Sequence, residues 1–243
     1  MKKLLYALFI LSLFNGCADS AIGPNGGVGQ GGSLARFAIV GNYLYTVSPD
    51  SLTTFDISNP SMVTRTSGLS LNFMEVETIF PFNNNLFLGT QWGMNIVGLQ
   101  DPQNPKLLST YSHIRSCDPV VTDGITAFVT LRSGTQCWNT INQLDILDVS
   151  NFTSPQWITS YPMTNPKGLG LRGKELFICD AGLKIYDVTD LHSIQLKGTF
   201  NIPANDVIVH PDKIIVIADD GLYQYASTVD GINLLSTFLF SNL

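Results

Sequence analysis

From Leu34 onward, short apolar runs alternate with turn residues, and the same order returns about every 40 residues. Each cycle carries an apolar, β-branched or aromatic run, at residues 43–47, 86–88, 127–131, 176–179 and 214–218. A box then follows that mixes apolar positions with Asp and Ser or Thr. Its copies are Phe55-Asp56-Ile57-Ser58-Asn59-Pro60, a degraded Val97-Gly98-Leu99-Gln100-Asp101-Pro102, Leu147-Asp148-Val149-Ser150-Asn151 and Tyr186-Asp187-Val188-Thr189-Asp190. A fifth, Tyr225-Ala226-Ser227-Thr228, has no Asp. Similar tails close the units at residues 106–111, 156–161, 195–200 and 233–238. Runs of this length, rich in Val, Ile, Thr, Tyr and Phe and bounded by Gly, Pro, Asn and Asp, predict strands.

Each unit is expected to hold four strands, a to d. In the last copy these are residues 206–210, 213–218, 221–225 and 233–238. Asp219-Asp220-Gly221 supplies the positive-φ chemistry of a hairpin turn. One four-stranded sheet cannot bury both faces alone, whereas sheets packed in a ring can. The pattern therefore predicts an all-β protein, a β-propeller of four-stranded antiparallel blades, with five blades over residues 34–243. The boxes and tails resemble the LVIVD-repeat family. That resemblance implies a propeller-like β fold and a lipoprotein or secreted context, and it implies no particular activity.

Ahead of the repeats stand Lys2 and Lys3, an eleven-residue apolar stretch over residues 4–14, and Asn15-Gly16-Cys17. The stretch is shorter than the about 20 residues a membrane-spanning helix needs. A small residue before Cys at the end of such a stretch resembles a bacterial lipobox. The resemblance implies a signal peptide over residues 1–16, a lipidated Cys17 anchored in the bilayer, and an outer-membrane location. Residues 18–33 contain six glycines in sixteen positions and read as a flexible tether.

Composition narrows the function. With 13 Lys and Arg against 19 Asp and Glu, and no basic run, the chain lacks the clustered cations that nucleic-acid binding needs. Neither His-Glu-x-x-His nor Gly-x-Ser-x-Gly occurs, and His113, His192 and His210 fall far apart in the repeat. Gly168-Leu-Gly-Leu-Arg-Gly173 spells a dinucleotide fingerprint, but a strand pattern follows it where that fingerprint requires a helix. No cofactor and no metal are expected, and a monomer is expected. The box aspartates Asp56, Asp148 and Asp187, no more than one to a blade, are expected to accept backbone N–H bonds in the turn that follows.

Antiparallel order gathers the starts of the a strands and the b-to-c loops on one face. That face is expected to hold Trp92, Arg115, Asp118, Arg132, Trp138, Asn165, Lys167, Asp180, Asp206 and Asp220, with Met74, Glu75, Gln91, Asn205 and Asp219 beside them. Trp92 and Trp138 either pack under their loops or contact a ligand. The third unit carries about ten extra residues at 132–142, which brings Cys137 to the same end as Cys117 and predicts a disulfide between them. Cys179 reads as a packing residue. Two functional readings follow. One is a membrane-anchored, non-enzymatic binding or scaffold lipoprotein that holds a protein or glycan partner on this face. The other is a hydrolase or lyase with an axial acidic, metal-assisted site.

Overall fold

The computed structural model describes residues 32–71, 74–112, 119–133, 141–228 and 231–242. The leader, Cys17, nearly all of the tether, His113, Arg115, Cys117, Asp118, Cys137 and Trp138 lie outside the described residues.

Twenty strands form five antiparallel sheets, each made of four consecutive strands. Sheet 1 holds β1 (Phe37–Val40), β2 (Tyr43–Ser48), β3 (Ser51–Asp56) and β4 (Thr64–Ser70). Sheet 2 holds β5 (Val76–Phe82), β6 (Asn85–Thr90), β7 (Gly93–Gly98) and β8 (Lys106–Ser112). Sheet 3 holds β9 (Val120–Thr122), β10 (Thr126–Leu131), β11 (Gln143–Asp148) and β12 (Gln156–Pro162). Sheet 4 holds β13 (Pro166–Arg172), β14 (Glu175–Asp180), β15 (Leu183–Asp187) and β16 (Gln195–Phe200). Sheet 5 holds β17 (Ala204–Val209), β18 (Lys213–Ala218), β19 (Gly221–Thr228) and β20 (Gly231–Leu239). The predicted four-strand unit and five-blade propeller are both present, and among the described residues no strand is exchanged between the first and last sheets.

The innermost strands pack in sequence: β1 on β5, β5 on β9, β9 on β13 and β13 on β17. Four buried clusters fill the spaces between neighbours. Tyr45 and Leu52 meet Val76 and Leu88, Phe87 and Ile96 meet Val129 and Leu147, Phe128 and Ile146 meet Leu176 and Ile178, and Phe177 and Ile185 meet Val207 and Val216. In the middle of the row, β6, β7 and β10 are buried at every position, because a neighbour covers each face. Sheets 1 and 5 instead alternate. Ile214 and Val216 are buried against sheet 4, whereas Ile215, Ile217 and Leu222 on the other face are half-buried. Ile39, Leu44 and Phe55 on the outer face of sheet 1 are likewise half-buried.

The turn chemistry of the boxes is as predicted. Asp56, Asp148 and Asp187 accept the amides of Ser58, Ser150 and Thr189 at 2.8, 2.8 and 2.9 Å. A second side chain caps each link in the same way: Asn59, Asp101, Asn151 and Asp190 accept the amide two residues ahead at 3.0 to 3.1 Å. Sheet 2 has Gly98 at the box position, so its link rests on Asp101. In the 168–173 stretch Gly168 and Gly170 serve packing, and Gly173 takes the positive φ of 55° in the β13–β14 turn. A Cβ on Gly170 would lie 2.5 Å from Val209 Cγ2, so only glycine lets β13 approach β17 this closely.

Candidate functional site

Bulges decide what the start-of-strand face displays. The β17–β18 register shifts between Ala204 and Asp206, and the β13–β14 register shifts between Pro166 and Leu169. An extra residue at a bulge leaves the ladder and re-aims its side chain. Here the displaced segments carry Asn205 and Lys167. Lys167 Nζ donates to Asn205 Oδ1 at 2.5 Å, and Asn205 Nδ2 donates to Asp219 Oδ1 at 2.6 Å. Among the described residues no carboxylate lies within ion-pair distance of Lys167. Lys167 and Asp219, the two ends of this relay, line a recess of about 480 Å³ between sheets 4 and 5, with Asn165, Ala181 and Gly182 around it. Ala181 adopts φ 49°, a left-handed conformation that costs a residue with a Cβ about 1–2 kcal/mol. Non-glycine strain of this kind clusters at functional positions.

The sequence-derived residues separate into three groups. Asn165 and Lys167 come together at the recess, with Asn205 and Asp219. Trp92 stands in the β6–β7 turn on the same face, 44% exposed, and Arg132 is half-buried at the end of β10. The acidic residues are occupied locally. Asp180 is fully buried, accepts the amides of Thr164 and Asn165 at 3.0 and 2.6 Å, and pairs with Lys184 Nζ at 2.7 Å. Asp220 accepts the Tyr223 hydroxyl at 2.8 Å.

Asp206 accepts Ser33 Oγ at 3.1 Å, Leu34 N at 3.2 Å and Val207 N at 2.9 Å. Burial pushes its carboxyl above the usual carboxylate range, against those three hydrogen bonds. Asp180, Asp206 and Asp220 thus do not present converging free carboxylates. Among the described residues no three His, Cys, Asp or Glu side chains group as metal ligands. Cys179 is buried as a free thiol, and burial pushes its pKa up, which suits the packing role expected of it.

Asp206 also marks a feature that the tether composition hides. Gly32 to Ala35 run as a strap across the axis. Ser33 is 1% exposed and accepts Leu169 N at 2.8 Å, while Ala35 O accepts Ile79 N at 2.8 Å. Arg36 reaches Val76 O at 3.3 Å. The strap therefore bonds to sheets 2, 4 and 5 at once. Nothing in the glycine-rich pattern signals it, because the partners of Ser33 lie 136 and 173 residues away.

Comparison with known proteins places the architecture. A protein from Lactobacillus plantarum superposes with a TM-score of 0.65 at 12% identity, over 84% of this chain and 68% of that one. A functionally unknown protein from Desulfotomaculum acetoxidans gives 0.62 at 12% identity, over 87% and 69%. The periplasmic gluconolactonase of Pseudomonas aeruginosa gives 0.60 at 14% identity, over 82% and 66%. At such identities the likeness is one of fold. No curated protein matches the sequence. The LVIVD repeat matches residues 31–67 and 140–163, which are the first and third copies of the box with their flanking strands. The chain thus carries LVIVD repeats within a five-bladed, all-β propeller.

Proposed function

We propose that this is a lipid-anchored, non-enzymatic binding protein that presents the start-of-strand face to a protein or glycan partner at the bacterial outer membrane. The observation that carries the reading is the bulge-supported recess. Lys167, Asn165 and Asp219 offer a cation, an amide and a carboxylate around one concavity on a rigid scaffold, with Asn205 bridging Lys167 to Asp219. Trp92 adds exposed aromatic surface on the same face. The anchoring part rests on the lipobox-like Asn15-Gly16-Cys17 after an apolar stretch. The acidic-site enzyme reading has less support, since Asp180, Asp206 and Asp220 are each engaged in separate local bonds.

Capture from detergent-solubilised envelopes tests the binding reading. Wild type is compared with Lys167→Ala plus Asp219→Ala, and with Trp92→Ala plus Trp138→Ala. The recess variant is expected to lose most partner recovery while keeping the wild-type melting curve. Equal recovery removes the recess from the proposal. For the anchor, Cys17→Ser is expected to move the protein from the membrane to the soluble fraction.

A further inference from the structure

The propeller axis is a blind cup. At the start-of-strand end the strap closes it, and at the other end it opens between the a-to-b turns as a cavity of about 550 Å³. Phe80, Phe82, Val121, Leu171, Val207 and Val209 form its walls, and Ser33 lies at its floor. Asn83 and His210 stand at its mouth, where His210 pairs with Asp212.

The hydroxyls of the floor and wall, Ser33 and Thr122, already have partners. Ser33 Oγ bonds Asp206 and Leu169 N, and Thr122 Oγ1 donates to Thr126 O at 2.7 Å and accepts Gly124 N at 2.9 Å. Among the described residues that line it, only His210 is titratable, and it sits at the mouth. A charged ligand would lose its hydration there and find no counter-charge, at a cost of several kcal/mol. An apolar ligand gains by leaving water and breaks no existing hydrogen bond. The size falls within the range of small-molecule sites, about 300–1,000 Å³.

The geometry points to the axial cavity as a binding site for an uncharged, predominantly apolar small molecule. Its apolar body lies among the Phe, Val and Leu walls, and any polar end sits at the mouth beside Asn83 and His210. This site is at the opposite end of the propeller from the recess of Lys167 and does not depend on it.

N-phenyl-1-naphthylamine, an uncharged fluorescent probe, tests the site. Wild-type protein is expected to bind one probe per chain, saturably. Filling the cup with Leu171→Trp or Val121→Trp is expected to weaken binding at least about tenfold. Ile215→Asp on the outer face of sheet 5 and Lys167→Ala in the recess are expected to leave it within about twofold. In methyl-labelled wild-type protein, which needs no substitution, the Val121, Leu171 and Val207 signals are expected to shift on titration while Leu44 and Ile215 do not. Absence of saturable binding overturns the assignment. So does loss of binding in Ile215→Asp with retention in Leu171→Trp, or shifts confined to Leu44 and Ile215.

Discussion

At the scale of single residues, the box aspartates have measurable consequences. Hydrogen bonds from Ser58, Ser150 and Thr189 hold the carboxyls of Asp56, Asp148 and Asp187 below their ordinary 3.8. Their contribution to stability is full above that value and is lost as pH falls through the lowered folded-state values. Acid melts of a triple variant, Asp56→Asn with Asp148→Asn and Asp187→Asn, should show a shallower fall below pH 4 than the wild type. Asp206 acts with the opposite sign, because a raised carboxyl pKa costs stability as pH rises through it. Ala181, at φ 49°, should gain from Ala181→Gly, raising stability by about 1 kcal/mol in urea melts. The box bonds were legible in the sequence, since an Asp two residues before Ser or Thr in a turn has few other donors in reach. The second cap at Asn59, Asp101, Asn151 and Asp190 stands within the same boxes and carries no sequence signal of its own. The left-handed Ala181 had no signal at all, because a lone Ala carries no preference for that conformation.

At the scale of strands and sheets, the two faces of β18 should respond unequally. Ile214 is fully buried between sheets 4 and 5, so Ile214→Ala should cost about 2–5 kcal/mol. Ile215 on the other face is half-buried, and Ile215→Ala should cost less than about half as much. Denaturant melts of the pair measure the contrast, and equal costs would mean that the outer face of sheet 5 is covered as fully as its inner face. The sequence could not foretell this asymmetry. Ile214-Ile215-Val216-Ile217 is apolar throughout and reads as buried on both faces, and only the arrangement of sheets shows which face a neighbour covers. Strand positions were more legible, because Pro211-Asp212 and Asp219-Asp220-Gly221 punctuate the pattern. A bulge between the c and d strands recurs in all five sheets, with Thr66, Leu108, Ile158, Lys197 and Leu235 as the extra residues. Such bulges bend and twist the outer edge, which guards it against pairing with other chains. They left no mark in a tail pattern that reads as a plain strand.

At the scale of the whole molecule, the strap ties sheets far apart in sequence to one axis. Ser33→Ala would leave the buried Asp206 carboxylate short of a donor and Leu169 N without its acceptor. A loss of about 1–3 kcal/mol is expected in urea melts, the usual cost of stranding buried polar groups. Repetition made the succession of five four-stranded sheets readable, and antiparallel order brings Asn165, Lys167, Asn205 and Asp219 to one end. The strap was not readable, because Gly32 and Ser33 share the composition of a tether and their role depends wholly on distant partners. The most direct test of five sheets about one crossed axis is the set of nuclear Overhauser contacts made by the strap in the wild-type protein. Ser33 protons should show contacts to Leu169 in sheet 4 and to Val207 in sheet 5, and Ala35 should show contacts to Ile79 in sheet 2. Strap signals with contacts only to their own sequence neighbours would contradict that arrangement, and with it the closed floor of the axial cup.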